Sequence, residues 1–229
     1  MYPIRTARSA VAVLFVLASL LSPAVAHAAA PGRHAAPGDS MTLPVRDALA
    51  VLPLQTENRT GYERTKFRHW TDADKDGCST RAEVLKAEAV TAPVQGPNCV
   101  LTGGSWYSPY DDRYLDNASK LDVDHLVPLA EAWDSGASQW TAKQRELYAN
   151  DLDDARGLIA VSAASNRSKG DRDPSEWLPP YAGYRCRYDT DWIADKTRWG
   201  LSIDAIERDA LTQQLADCPD RPITVTLAR

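Results

Sequence analysis

Two short stretches of the sequence carry residue types that could work together in hydrolysis. The first, LDVDHLVP, places Asp124 directly before His125, between aliphatic residues. The second, SNRSKGD, groups Asn166, Arg167 and Lys169. Carboxylate and amide oxygens suit a hard divalent cation, and a histidine can act as a base near neutral pH. Two cationic side chains can hold phosphate oxygens. The pair of stretches therefore predicts a metal site beside a base.

The histidine of the first stretch has few competitors. Of the four histidines, His27 and His34 precede the predicted domain, which leaves His69 and His125. A serine hydrolase that uses His125 finds little support, because the sequence has no G-x-S-x-G motif. Neighbouring residues of a strand point to opposite faces, so Asp124 and His125 can flank one site only where the strand ends. Pro128 predicts such an end.

A further stretch, DADKDGCSTRAE, fits the pattern of a calcium-binding loop. Asp72, Asp74 and Asp76 occupy its first, third and fifth positions, Cys78 would offer its backbone carbonyl, and Glu83 would be the bidentate ligand at the end. We expect a single, structural calcium site. The alternative is an acidic turn that leads into a helix.

The elements that must position these residues indicate an α+β chain. Leu121 to Val127 and the apolar run from Leu158 to Val161 are predicted strands, and Ser162 to Lys169 is a predicted short helix that ends at Gly170. Val100 to Tyr110 is predicted to form a β-hairpin arm, and two helices are predicted near the C-terminus.

The chain of 229 residues begins with a pattern typical of a secretion signal, predicted to span residues 1–28. A linker rich in proline, alanine and glycine is predicted at 29–44, followed by a single domain at 45–229. We expect a secreted, extracellular protein with no membrane span. Removal of the signal takes away Arg5 and Arg8, so 24 basic residues would face 31 acidic residues. This net charge of −7 argues against a broad nonspecific surface for nucleic acid.

Four cysteines in a secreted chain predict two disulfides. Three pairings are possible, and proximity in sequence favours Cys78–Cys99 and Cys186–Cys218, because short loops close with the least loss of entropy. A zinc site built from all four cysteines is the alternative, although the sequence has no C-x-x-C pair.

Taken in order, VDHLVP and LIAVSAASNRSKGD resemble the motif of HNH endonucleases, whose core is the ββα-metal fold. The layout, which includes EWLPP and YRC, is most similar to secreted nucleases of that family, and the resemblance covers about residues 65–220. It implies a ββα-metal core with the hairpin arm and the C-terminal helices attached.

The resemblance also implies a role for each residue. Asp124 and Asn166 would bind the metal, Mg²⁺ or Mn²⁺ with Zn²⁺ or Ca²⁺ as alternatives, and His125 would deprotonate the attacking water. Arg167 and Lys169 would bind flanking phosphates. The implied activity is an endonuclease that cleaves DNA, with RNA as the alternative substrate, and we expect it to be a monomer.

One position departs from the family pattern. The residue that usually braces the loop around the base falls at Gly157, which has no side chain. Gly157 and the acidic net charge favour a competing interpretation, a non-catalytic extracellular calcium-binding module with an HNH-like fold. The combination of Asp124 and His125 with the SNRSKGD stretch favours the enzyme.

Overall fold

The computed structural model describes residues 36–229, so the predicted signal at 1–28 and part of the predicted linker lie outside the described residues. The described chain is a mixture of helices and short antiparallel strands. Its strands are β1 (Ser40–Pro44), β2 (Ala89–Thr91), β3 (Val94–Gln95), β4 (Leu101–Thr102), β5 (Ser105–Ser108), β6 (Arg113–Leu115), β7 (Leu121–His125), β8 (Leu158–Ser162) and β9 (Pro222–Thr226). Its helices are α1 (Val45–Val51), α2 (Thr80–Ala87), α3 (Leu129–Asp134), α4 (Ala142–Ala149), α5 (Ala163–Lys169), α6 (Arg185–Trp199) and α7 (Ala205–Ala216).

The centre of the fold is the antiparallel pair β7–β8 with α5 directly behind it. Asp124 lies opposite Ile159 and His125 opposite Leu158 in this pair. Apolar residues Leu121 and Val123 of β7 are buried, which fixes the face that the strand turns to the core. Helix α5 begins at once because the Ser162 hydroxyl accepts a hydrogen bond from the Ser165 amide at 3.2 Å. A strand, a long insertion, a second strand and a helix are therefore arranged as predicted.

Two apolar clusters support this centre from different sides. The smaller one packs α2 and β5 against the β7–β8 pair, with Leu85, Trp106, Val123 and Ala160 among its buried members. The larger one contains α1, α3, α6 and α7 and is built around aromatic residues such as Trp192. The residues that could do chemistry therefore lie where two cores meet.

The predicted hairpin arm from Val100 to Tyr110 is in fact divided between two hairpins. Strand β4 pairs with β3, whereas β5 pairs with both β2 and β6. The turn between β5 and β6 covers 109–112, as the sequence predicts. Trp106 in β5 is fully buried and donates a hydrogen bond to the Leu85 carbonyl, so this arm is packed onto the core.

Part of the predicted linker is a strand. Residues 40–44 form β1, which pairs along its whole length with β9. The two hydroxyl groups of Thr42 and Thr224 are 2.9 Å apart on one face, while Ile223 and Val225 are buried on the other. The predicted linker at 29–44 therefore does not extend over residues 40–44, which form a strand. The composition of this segment does not indicate a strand, because its pairing depends on β9, which lies far away in the sequence.

Long-range bonds hold the C-terminal helices to this centre. Disulfides join Cys78 to Cys99 and Cys186 to Cys218, which confirms the predicted pairing. The fully buried Lys196 of α6 donates to Glu131 at 2.8 Å and to Glu207 at 2.6 Å, so one ammonium group links α3, α6 and α7. Breaking such a pair would leave an uncompensated buried charge. Within the described residues, no helix is both long and apolar enough to cross a membrane.

Candidate active site

A cavity of about 190 Å³ lies between the end of β7 and the C-terminal half of α5. It brings together residues from both predicted motifs, and its lining contains Arg64, Val123, Asp124, His125, Pro128, Leu129, Asn166, Arg167, Gly170 and Asp171. Strand β7 ends at His125, and this ending is what allows Asp124 and His125 to line the same space. The predicted metal ligands, the predicted base and one predicted phosphate-binding residue are therefore neighbours.

Asp124 is held firmly at this cavity. Its side chain is 7% exposed, and its Oδ2 atom accepts a hydrogen bond from the Tyr110 hydroxyl at 2.6 Å and another from the Lys169 ammonium at 2.5 Å. Burial raises the pKa of Asp124, and the attraction of Lys169 opposes that rise. Because both partners bind Oδ2, the other oxygen of the carboxylate remains for a ligand.

Lys169 corrects the sequence prediction. Its side chain is fully buried, and its Nζ atom donates both to Asp124 and, at 3.0 Å, to the backbone carbonyl of His125. Burial lowers the pKa of this ammonium, while the charge of Asp124 raises it. A group in this position cannot reach a phosphate in solvent, so Lys169 is an internal partner of Asp124.

Asn166 and Arg167 precede Lys169 on α5, and both approach Asp122 of β7. The Nδ2 atom of Asn166 donates to Asp122 at 3.3 Å, which leaves the amide oxygen as the free acceptor of that side chain. The Arg167 side chain is 77% exposed at the mouth of the cavity, 3.7 Å from Asp122. Asn166 therefore keeps the atom that a metal would use, and Arg167 is accessible to a phosphate.

His125 is almost completely buried, with 5% of its surface exposed. Its Nε2 atom lies 3.0 Å from the carbonyl oxygen of Ala149. Since a carbonyl can only accept, Nε2 carries the proton and Nδ1 has the free lone pair. Burial lowers the pKa of this imidazole to about 3, against the opposing effect of the Ala149 hydrogen bond. The ring is therefore neutral near pH 7, which is the form that can accept a proton.

Aromatic rings enclose the histidine. The ring of Trp70 is stacked on His125 with centroids 5.0 Å apart, and the ring of Tyr148 is nearly parallel to it at 6.4 Å. His69 approaches edge-on at 6.4 Å, and its Nδ1 atom is 3.0 Å from the Phe67 carbonyl. These neighbours shield most of the imidazole from solvent and explain the direction of its pKa shift, while the ring still lines the cavity.

Arg64 is a site residue that the two motifs did not reveal. It belongs to a 3-10 turn, Arg64–Lys66, about sixty residues before the base, yet it lines the same cavity. No local pattern marks it, because an arginine in a polar loop is ordinary in any soluble chain. Only the tertiary fold brings this turn to the cavity and places its charge beside Asp124 and His125.

The acidic loop forms a separate group. Carboxylate oxygens of Asp72, Asp74 and Asp76 all lie within 4.8 Å of one another, and oxygens of Asp76 and Glu83 are equally close. Gly77 has a φ of +93° and donates its amide to Asp72 at 3.1 Å. The two groups share Asp76, while Glu83 also pairs with Lys86 at 3.3 Å, so the acidic side chains of the predicted pattern lie in two overlapping groups at the start of α2.

Comparison with known proteins adds an independent observation. Residues 83–214 match the family model described as the C-terminal domain of GmrSD restriction endonucleases. A protein of Arthroderma benhamiae, described as an uncharacterized secreted protein, is 41% identical over 182 residues, which is 80% of this chain and 87% of that protein. No solved structure matches the chain. The matched region contains the β7–β8–α5 unit, whereas Arg64 and the three aspartates of the acidic loop lie before it.

Proposed function

The chain belongs to the family of GmrSD restriction-endonuclease C-terminal domains, and from this membership we propose that it is a secreted, metal-dependent HNH endonuclease that cleaves DNA. The family supports a nuclease with a nucleic acid substrate. The main support for an HNH endonuclease is that Asp124, His125 and Asn166 line one cavity. These residues belong to a unit of two antiparallel strands followed by a helix. This is the arrangement that a ββα-metal core requires.

The donor set fits a hard cation. The free oxygen of Asp124 and the amide oxygen of Asn166 would hold Mg²⁺ or Mn²⁺, with Ca²⁺ as an alternative, and the remaining positions would be filled by water and substrate. Zn²⁺ is a poorer fit, because among the described residues no cysteine and only one histidine line the cavity. When bound, the cation would stabilise negative charge on the scissile phosphate and on the departing 3′ oxygen.

The side chains of the protein would perform the remaining tasks. His125 would take a proton on Nδ1 from a water molecule as that water attacks phosphorus, and the bond from phosphorus to the 3′ oxygen would break. The Ala149 carbonyl would stabilise the imidazolium that forms, since Nε2 already donates to it. Arg167 and Arg64 would hold the phosphate oxygens at the mouth of the cavity.

A structural calcium ion in the acidic loop is part of the same proposal. The convergence of Asp72, Asp74 and Asp76 concentrates negative charge that a cation would neutralise. Its place would be to fix the start of α2, which packs on β8 and β7. If the protein bound calcium at this loop but cleaved no nucleic acid, the non-catalytic calcium-binding module would be the better description.

Secretion is proposed from two sources. The sequence of residues 1–28 is typical of a cleaved signal, and the Arthroderma benhamiae relative is described as secreted. Two disulfides in the described chain agree with an oxidising compartment.

Plasmid nicking by the oxidised mature protein tests the function. We expect nicking with Mg²⁺ or Mn²⁺, none with EDTA, and a loss of at least about 10²-fold in rate for His125→Ala and Asn166→Ala. Asn117→Ala is the matched control, because Asn117 only caps a local turn through Ser119. Unchanged nicking by His125→Ala would contradict the assignment, and a parallel digest of RNA decides the substrate class.

A further inference from the structure

Gly157 has no side chain that could orient His125, so another group must do so. His125 makes one hydrogen bond through its ring, from Nε2 to the Ala149 carbonyl. Gly157 lies at the end of the loop before β8 and contributes only backbone groups: its carbonyl accepts from the Leu126 amide at 3.0 Å, and its amide donates to the Asp154 carbonyl at 3.2 Å. The space where its side chain would begin is bounded by Asp195, whose Oδ1 atom is 3.4 Å from the ideal Cβ position. The brace must therefore come from elsewhere in the chain.

Asn150 directly follows Ala149, whose carbonyl binds His125, and its side chain makes four hydrogen bonds. Asn150 accepts on Oδ1 from the Thr71 amide at 2.9 Å and from the Thr80 hydroxyl at 2.8 Å. Its Nδ2 atom donates to the carbonyls of Arg68 and Glu146, both at 2.7 Å. One amide group thus uses its full bonding capacity and joins the end of α4, the segment 68–71 and the start of α2.

Two of these bonds surround a strained residue. Trp70 has a φ of +58°, an unfavourable value for a bulky side chain. Asn150 binds the carbonyl of Arg68 before it and the amide of Thr71 after it. The strained backbone aims the indole at His125, on which it stacks at 5.0 Å. Such strain persists only where the surrounding structure enforces it.

The Ala149 carbonyl, which orients His125, is also held in place by Asp151, two residues further along the chain. Asp151 accepts two hydrogen bonds from Arg198, at 2.6 and 3.0 Å, and a third from the Trp199 indole at 3.0 Å. This fastens the segment that follows Ala149 to the end of α6. Asn150 and Asp151 together leave little freedom for the Ala149 carbonyl between α4 and the loop.

We propose that Asn150 is the positioning residue of the base, and that it replaces the brace missing at Gly157. It acts through two other groups, the Ala149 carbonyl beside it and the Trp70 indole that it holds against His125. The inference rests on the proposed function, since the base must be aligned with an attacking water. It assigns to Asn150 no contact with the substrate.

Kinetics and the nitrogen NMR spectrum of His125 test this role in the mature protein at one fixed pH. For Asn150→Ala we expect kcat to fall by about 10²-fold, because a displacement on the order of 1 Å has such an effect, with little change in KM. The spectrum should change from one tautomer, protonated on Nε2, to a mixture. Asn150→Asp keeps both bonds to Oδ1 but places a carboxylate oxygen against the carbonyls of Arg68 and Glu146, so kcat should fall at least as far as in Asn150→Ala.

Asn117→Ala again serves as the control and should match the wild type in both measurements. Wild-type kcat and a single tautomer in folded Asn150→Ala would overturn the proposal. If that variant does not fold, Asn150→Asp gives the same decision. If the wild type cleaves no nucleic acid with any metal, the proposed function fails, but the spectrum still reports whether Asn150 fixes the ring.

Discussion

The ammonium of Lys169 lies 2.5 Å from Oδ2 of Asp124, and both side chains are buried. The pair spans the site, since Lys169 ends α5 and Asp124 belongs to β7. Tyr110 donates to the same carboxylate oxygen at 2.6 Å. One oxygen of the proposed metal ligand is therefore reserved for the protein itself, and this sets the direction from which a cation can approach.

Replacement of Lys169 should affect folding more than substrate binding. Lys169→Met removes the cation and leaves the Asp124 carboxylate buried with only the Tyr110 hydroxyl. We expect the free energy of unfolding to fall by about 3–5 kcal/mol, measured by urea denaturation. Lys143→Met is the control, because Lys143 forms an exposed pair with Glu146, and such pairs contribute about 0–1 kcal/mol. If Lys169 contacted phosphate instead, the variant would keep its stability and bind DNA more weakly.

Arg64 and Arg167 should carry binding to the phosphate backbone. Each lines the cavity mouth, so Arg64→Ala and Arg167→Ala should each weaken DNA binding and reduce the magnitude of the salt slope by about 1. Fluorescence anisotropy in the His125→Ala background measures binding without cleavage. Arg208→Ala removes an arginine from α7 and should behave as the parent protein does. Equal losses in all three variants would indicate a general effect of charge.

Calcium should stabilise the protein through the acidic loop. At a calcium concentration 100 times the dissociation constant, the gain is about 2.7 kcal/mol, and it appears as a rise in melting temperature. Asp74→Asn should abolish most of this rise. Asp116→Asn removes an exposed carboxylate that pairs with Lys120, and it should leave the calcium response intact. A calcium response that survives Asp74→Asn would place the ion elsewhere.

Asp189 should make the protein less stable as pH rises. It is 1% exposed, neither of its carboxylate oxygens has a hydrogen-bond partner among residues 36–229, and burial raises its pKa from 3.8 to about 7. Between these two values the native state binds more protons than the unfolded state, so stability falls with increasing pH. Its contribution is complete below the unfolded pKa and is lost as pH rises through about 7.

The substitution Asp189→Asn removes this titration. We expect it to raise the free energy of unfolding by about 1–3 kcal/mol near pH 8 and to leave it almost unchanged near pH 4. Asp209→Asn, which removes an exposed negative charge from α7, controls for the change in net charge. Urea denaturation at both pH values gives the comparison, and an equal effect of Asp189→Asn at the two values would refute the assignment.

Much of the centre of this fold can be predicted from short stretches of sequence. Alternating apolar residues predict β7, an apolar run predicts β8, and Gly170 marks the end of α5 at the observed position. The disulfides follow from the spacing of four cysteines, and their pairing is confirmed. These features depend on contacts within a segment or on the entropy of closing a loop, which local sequence reflects.

The different positions of Lys169 and Arg167 at the site depend on tertiary packing. Lys169 and Arg167 look equivalent in the sequence, yet the helix turns Lys169 into the core and Arg167 into solvent. Arg64 reaches the cavity because a distant loop folds over it. Residues 40–44 become a strand only because β9 lies alongside.

The sequence by itself determined which residue types are present for the proposed chemistry: Asp124, His125 and Asn166 in a set order. Only the tertiary structure decided which groups hold them, with Lys169 on the carboxylate and the Asn150 segment behind the imidazole. The physical reason is that a side chain's burial and partners come from residues far apart in the chain. A local pattern can indicate which side chains could take part in the chemistry, but packing determines which groups those side chains contact through their charges and hydrogen bonds.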